Sequence, residues 1–526
     1  WPSKLGFNGV NDDFFPNIGP AAYAALGTSS QDRQQFPIRQ AQIAESLSWI
    51  RGKHSVKFGG EFRPSLNHEI LRSTVSGRYV FSRGFTGAVG NAFTGNGFAT
   101  MLLGIPTNFE TRETDELDRY SLYYAGFAQN DWQVSQSLTL NLGVRWEADS
   151  PMRDRNNRIN GFDPLAVNPV SGNRGVVKFL GVNGYRTSPY DGDWNNWAPR
   201  VGIAWRPFGL KKTVVRTGFG VFFSHPFSRA VPNSATLGFE QSAQLILQDN
   251  SETIPYTLSR GLPVPASTRP PLDDSFGAVR PNVTPTQALT YFEINRRTGY
   301  SLQSSLRLQH ELPGRMVIEY GYIGNLSRKL PSNNLQTNQI HPSLLGPGAG
   351  NKDRPYPQFS GVSIVAPTIG VSSYHAGLAR VEKRFSRGFN LQSTYTWSKF
   401  LDNADAGSSA FGNEGAAFSN YYNRRFDWGP SELDIRHRFT LSSVYQLPFG
   451  KGKRWLKEGI ARKVAGDWSA SGVFVMQSGG PVTVTTQTNT TFAFSAGAQR
   501  ADAAGADHAD AEAGVLRHGP RRLSGL

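Results

Sequence analysis

The sequence predicts an all-β chain, a partial transmembrane antiparallel β-barrel with long outer loops and short periplasmic turns. Three observations carry that prediction. Apolar and polar residues alternate with a period of two, the period of a strand whose sides meet different surroundings, over runs of about ten residues. Six times such a run stops at a short turn and restarts as another run. Between these pairs lie long polar connections, uncommon in compact soluble domains and normal on the outer face of a membrane barrel.

Residues 1–37 are rich in Gly, Pro, Asn and Ala and read as a leading loop. Residues 38–498 read as one incomplete transmembrane barrel domain, with no composition shift dividing them. In its first clear strand, Val56, Phe58 and Phe62 oppose Lys57, Glu61 and Arg63. The clearest pair runs from Tyr120 to Trp132 and from Ser137 to Glu147; in the second run Leu138, Leu140, Leu142, Val144 and Trp146 oppose Thr139, Asn141, Gly143, Arg145 and Glu147. Leu302, Leu306, Leu308 and Leu312 oppose Gln303, Arg307, Gln309 and Glu311. Phe389, Leu391, Tyr395 and Trp397 oppose Asn390, Gln392, Thr394 and Thr396; Phe439, Leu441 and Tyr445 oppose Thr440, Ser442 and Gln446. Runs of this length suit the roughly 9 to 11 tilted residues that cross a bilayer, against about 5 to 6 in soluble domains.

The joints fall at 50–54, 133–136, 207–212, 313–314, 386–388 and 448–465, where Gly and Pro supply turn geometry. The long connections span 148–197, 224–288, 325–372 and 401–434 and read as structureless. The interval 73–116 suits a further hairpin, with a small helix or turn at 91–104, and 224–298 has room for further strands. About 12 strands are clear and about 16 fit, enough for a wide lumen.

Composition agrees. Hydrophobic residues make up 38% of the 526, mean hydropathy is −0.40, and no apolar stretch reaches transmembrane-helix length. A barrel wall spends only every second residue on lipid, so its mean hydropathy resembles that of a soluble protein. Aromatic residues near strand ends, Trp49, Trp132, Trp146, Trp205, Trp397 and Trp468 among them, suit a headgroup girdle, although any β-protein favours aromatics. The net charge of +15 is dispersed over strand faces and turns, which argues against nucleic acid. With no cysteine there is no disulfide, thiol nucleophile or zinc-thiolate site.

Several strings carry a family resemblance: ESLSWIRGKHSVKFGGEFR (45–63), YAGFAQNDWQVSQSLTLNLGVRWE (124–147), NWAPRVGIAWRPFG (196–209), RVEKRFSRGFNLQSTYTWSKFLDNA (380–404) and SELDIRHRFTLSSVYQLPFGKGKRW (431–455). They resemble the barrel of Oar-like TonB-dependent outer-membrane receptors, over roughly residues 38 to 490. The resemblance implies a barrel in the outer membrane of a Gram-negative bacterium, closed by an N-terminal plug and energised through a TonB box. Neither plug nor TonB box is found here, so the chain reads as a fragment. The stretch 499–526 lacks strand period and a terminal aromatic residue; it reads as a non-barrel tail, an out-of-frame translation that leaves the barrel short of its last strands.

No catalytic, cofactor or metal residues are assigned, and the chain does not read as an enzyme. Asp191, Asp193 and Asn195 begin like a calcium loop, but Asn196 and Gly202 replace the required Gly and Glu, leaving at most a weak site. His310 and His437 fall in phase with apolar neighbours and read as interfacial or satisfied wall residues. Candidate lumen-facing residues are Lys57, Glu61, Arg63, Arg145, Glu147, Arg307, Glu311, Arg380, Glu382 and Arg384, either touching solute or forming cross-strand ion pairs that stiffen the wall. Candidate ligand contacts in the long loops are Tyr185, Tyr190, Trp194, Trp197, Tyr421, Tyr422, Phe426 and Trp428, whose rings suit sugars or ordinary loop packing. The expected partners are outer-membrane lipid, an extracellular solute and, through the plug, the TonB complex; the expected state is a monomer. A non-transporting surface or adhesion barrel and a soluble β-rich glycan-binding protein are the alternatives.

Overall fold

The computed structural model describes residues 1–500 apart from 8–9, 28–32, 73, 89–90, 92, 225–236, 248–255, 261–270, 279–284, 286, 333, 404–419, 483–484 and 487–498. The bulk of the expected tail, 501–526, lies outside the described residues. The wall is built from β1 (Ile43–Arg51), β2 (His54–Arg72), β3 (Leu117–Ser135), β4 (Leu138–Asp149), β5 (Trp197–Trp205) and β6 (Thr213–Ser224). It continues through β7 (Gly299–Leu312), β8 (Met316–Pro331), β9 (Thr368–Ser386), β10 (Phe389–Asp402), β11 (His437–Gln446) and β12 (Ser469–Gln477). Each strand pairs antiparallel with the next in the chain. Among the described residues nothing pairs β1 with β12, so the barrel wall is not closed.

The register keeps the two faces apart. On β10 and β11, Leu391 pairs with Ser443 and Tyr395 with Phe439 on one face; Gln392 pairs with Ser442 and Thr394 with Thr440 on the other. A slip of one residue would exchange the faces. Strands β2, β3 and β9 each have 19 residues, roughly 60 Å at strand rise, and so run well past a bilayer's hydrocarbon layer of about 30 Å. The joints are tight. Between β9 and β10, Arg387 and Gly388 take φ of 53° and 78°, the left-handed pair that matches strand twist in a two-residue hairpin. The last joint is longer and carries the helix Gly459–Ala465.

Pro64 shows how the wall tolerates a residue without an amide hydrogen. Its carbonyl accepts from the Ala41 amide, so its missing N–H would point the same way, toward β1. There the neighbouring edge is interrupted: β1 ends its pairing with β2 at Ile43 opposite Phe62, and the short strand Ile38–Gln40 resumes opposite Ser65 to Asn67.

The expectation of structureless long connections is wrong. Their described residues form strands and short helices and hold most of the buried apolar core, whereas the apolar side chains on the wall's outer face stay exposed: Leu47, Phe58, Leu142, Val201, Leu306 and Phe474 among them. Asn17–Pro20, within the expected leading loop, joins Arg78–Phe81, Asn108–Thr114 and Glu240–Ile246 in a separate four-stranded sheet. The interval 73–116 therefore contributes to this sheet, and no hairpin of the wall. Its helix is Gly97–Leu102, capped by the Asn96 side chain on the amides of Phe98 and Ala99. Asn160–Val167 and Arg174–Phe179 form a hairpin, and Ala288–Tyr291, Gly361–Ile364 and Leu335–Gln336 a three-stranded sheet.

These pieces are held by apolar contacts between connections. Phe162, Phe179, Phe239, Phe276 and Phe359 share one cluster with Val177, Leu289 and Val362. Tyr79, Phe81, Phe109 and Leu247 form another with Phe7. The physical reason is simple. An apolar side chain on a membrane strand finds lipid, while one in a connection faces water unless it meets another.

Phe359 is fully buried and touches Phe162 edge to face at 6.2 Å. Phe359→Ala is expected to destabilise the connection assembly by about 3 to 5 kcal/mol. Limited proteolysis should speed up within 150–370, with the heat-modifiable gel shift of the wall unchanged.

Candidate functional site: the polar face of the wall

The period of two places Glu61 on β2, Tyr123 and Ala125 on β3, and Arg145 and Glu147 on β4 on one face. Glu61 and Glu147 both stand opposite Ala125, from its two sides. That small side chain leaves space for Arg145 to reach across β3. Its Nη2 lies 3.2 Å from Glu61 Oε2 and donates to the Tyr123 hydroxyl at 2.8 Å, while its Nε donates to Glu147 Oε2 at 2.9 Å. Tyr123 in turn donates to Glu147 Oε2 at 2.7 Å. Arg63 lies 3.5 Å from the other oxygen of Glu61, and its guanidinium covers the Tyr123 ring at 4.4 Å. Four of the sequence candidates thus meet in one network whose hub, Tyr123, sequence reasoning missed.

The other candidates spread along the wall. Arg307 is 4.0 Å from Glu319, and Glu382 takes Arg380 at 2.9 Å and Arg384 at 3.9 Å. Lys57 is half-buried and Glu311 exposed, and neither has a side-chain partner among the described residues. His310 and His437 each meet a hydroxyl, Thr213 and Tyr395, at 2.8 Å.

A second ion pair lies further along the same face and was not anticipated. Arg119 Nη1 sits 3.0 Å from Glu69 Oε2, with side chains 0% and 1% exposed. Asn67, likewise buried, stands opposite Arg119. Extending the period past Pro64 through Ser65, Asn67 and Glu69 would have revealed it.

The loop aromatics do not converge on one surface. Tyr185 and Tyr190 pack on Met152, Ile159, Leu180 and Phe292, and burial pushes the Tyr185 phenol up. Tyr190 accepts from the Met152 amide at 3.2 Å, and the buried Arg296, its basicity lowered by burial, lies over the ring at 5.4 Å. Trp194 and Trp197 are exposed beside Tyr124 and Trp146, with ring centroids 6.2 Å and 6.5 Å apart, and the Trp146 indole donates to the Trp194 carbonyl at 2.7 Å. Tyr124, Trp146 and Trp197 lie on the apolar face, the face on which membrane barrels carry their aromatic belt. Tyr421 and Tyr422 are exposed neighbours, 5.3 Å apart, and both are tied to Gln339, through the Tyr421 amide and the Tyr422 hydroxyl. Trp428 is half-buried; the side chain of Phe426 lies outside the described residues.

Asp193 bonds Arg297 at 3.1 Å and the Thr298 amide at 2.8 Å, whereas Asp191 bonds Arg186. Among the described residues no group of three His, Cys, Asp or Glu is placed to hold a metal ion.

A strand meander with one apolar and one ion-paired face is the architecture of a membrane barrel, and the family model for the outer membrane beta barrel domain matches residues 2–519. The chain belongs to that family. The barrel domain is an outer-membrane component of a Gram-negative bacterium. No curated protein sequence matches it. Solved structures similar to it include the outer membrane transporter YddB from Escherichia coli, at 11% identity and TM-score 0.46, covering 86% of this chain and 44% of that one. The FrpB iron transporter from Neisseria meningitidis is similar at 10% identity and TM-score 0.35, covering 79% and 42%. The ferric-catecholate import receptor Fiu from Escherichia coli K12 is similar at 10% identity and TM-score 0.33, covering 78% and 42%. The barrel domain thus spans less than half the length of these chains, and likenesses this distant assign it no activity.

Two substitutions test the polar face. Arg145→Met leaves Glu61 and Glu147 facing each other without their shared cation, and is expected to lower wall stability by about 3 to 5 kcal/mol, read by thermal melting in detergent. Changing Arg145, Glu61 and Glu147 together to apolar residues should recover most of that loss. Arg119→Met should be as damaging as Arg145→Met and, because the Glu69 pair is fully buried, insensitive to salt.

Proposed function

We propose that this barrel domain is part of an Oar-like TonB-dependent receptor that binds a large extracellular solute and takes it up. The chain carries part of that protein, and the plug and the TonB contact belong to the remainder. One observation carries the reading. The polar face holds a connected set of ionised side chains, whereas the opposite face presents exposed Leu, Val and Phe. Charge facing lipid near the bilayer midplane costs about 2 to 4 kcal/mol per Arg or Lys, so the polar face fronts water and the apolar face fronts lipid. On that reading Lys57, Glu61, Arg63, Arg145, Glu147, Arg307, Glu311, Arg380, Glu382 and Arg384 line the interior.

Most of these are pairing residues that hold the wall's shape against a moving plug. Lys57 and Glu311, without partners among the described residues, are free to meet solute. Solute choice belongs to the folded connections above the wall, where Tyr421 and Tyr422 expose their rings. Tyr185 and Tyr190 act there as supports, since their rings are spent on packing. The working unit is a monomer.

Uptake in cells carrying the full-length protein tests this reading. Deleting the TonB-contacting segment should abolish accumulation of the solute while surface binding persists. Accumulation unchanged by that deletion would refute energised transport and favour a non-transporting surface protein.

A further inference from the structure

At the long-connection end of β2 and β3 the apolar face carries a cavity of about 760 Å³ that neither the family nor the transport reading explains. Leu66, Leu122, Ala41 and Pro64 with the ring of Tyr120 give it an apolar part, beside the polar Gln40, Ser65, Asn157 and Thr187. Three arginines surround it. Arg39 stands opposite Leu66, and Arg153 opposite Tyr120, so both share the outward face; Arg155 follows on the same turn.

All three are exposed, and none has an acidic partner among the described residues. The acid between two of them is occupied. Asp154 is buried and accepts from the amides of Asp118, Asn156 and Arg158 at 2.7 to 3.0 Å, which fixes the turn that presents Arg153 and Arg155. Carboxylates further along the same strands are also engaged, Asp118 with His68 at 2.8 Å and Glu116 with His68 and Arg72.

Three like charges around a partly apolar cavity repel one another and are out of place on a lipid-facing wall unless an anion joins them. Position names the anion. Tyr120 lies four residues beyond Tyr124 of the aromatic belt, roughly 13 Å along the strand and less along the membrane normal because the strand is tilted. With the belt taken as the hydrocarbon edge, this places the cavity at headgroup depth. Arginine forks suit phosphate, and the apolar part suits an acyl chain.

We propose that this cavity binds the phosphorylated headgroup of an outer-leaflet lipid of the lipid A type, with Arg39, Arg153 and Arg155 on phosphate and Leu66, Tyr120 and Leu122 against the chain. The lipid fastens the wall to its leaflet at the point where the connection 150–196 leaves the sheet. The inference rests on outer-membrane location and on the long connections facing outward, and not on transport.

The test uses the full-length protein extracted from outer membranes and reconstituted in phosphatidylethanolamine vesicles with bisphosphorylated lipid A, or with the same lipid stripped of phosphate. Native mass spectrometry after detergent exchange counts the lipid retained. The wild type should keep the phosphorylated lipid and lose the stripped one. Arg153→Gln and Arg155→Gln should each weaken retention about tenfold, the scale of one charge-assisted contact. Arg155→Lys, which keeps the charge and loses the fork, should fall between, and Lys451→Gln in the turn between β11 and β12 should match wild type. Inorganic phosphate alone should not displace the lipid. Equal retention of both lipids, no effect of the arginine changes in variants that keep their heat-modifiable shift, or full displacement by inorganic phosphate would each overturn the proposal. Solute uptake does not enter the readout, so failure here is separable from failure of the transport reading.

Discussion

A membrane wall must hide every backbone amide and carbonyl from lipid while giving lipid an apolar surface, and this constraint organises the rest of the structure. Antiparallel pairing from β1 through β12 satisfies the first demand, because each interior strand is bonded on both sides. The alternation of side chains satisfies the second only when every strand keeps the same phase. Pairings such as Leu391 with Ser443 and Gln392 with Ser442 show that phase handed from strand to strand. Pro64 shows the exception handled locally: the residue lacking an N–H faces a break in the neighbouring edge.

Once the wall's apolar residues are committed outward, they cannot form an internal core. Stability of a different kind is needed on the other face, and ion pairs braced by hydroxyls supply it. Arg145 is the clearest case, with Glu61, Glu147 and Tyr123 all within hydrogen-bond reach across three strands. The conventional apolar core lies instead in the connections, in clusters such as that of Phe162, Phe179 and Phe359. The protein therefore has a lipid-solvated wall and a self-packed cap, and substitutions in the two parts act through different physics.

The wall was legible in the sequence because its signal is local. A period of two needs no partner strand to be seen, and the faces of Glu61, Arg145, Arg380 and Tyr395 followed from it. The cap was not legible, since Phe162, Tyr291 and Phe359 meet across more than a hundred residues and no local pattern announces such contacts. Two further features needed the structure to be seen. The strand alternation traced in the sequence stops at Arg63, whereas β2 runs on past Pro64 to Arg72 and carries Asn67 and Glu69 opposite the Arg119 region of β3. Trp194 and Trp197 lie in a loop-like stretch, and only the structure shows their rings beside Tyr124 and Trp146.

The central claim is that the two faces of each wall strand meet different solvents, and β10 offers the most direct measurement. The chain has no cysteine, so single cysteines can be placed from Phe389 to Asp402 without background and probed in native outer membranes with a water-borne thiol reagent and a lipid-borne quencher. Cysteines at Asn390, Gln392, Thr394 and Thr396 should react from water, and those at Leu391, Ser393, Tyr395 and Trp397 should be quenched from lipid. Reactivity without alternation, or protection of both faces from both probes as in a dry sandwich, would contradict the account.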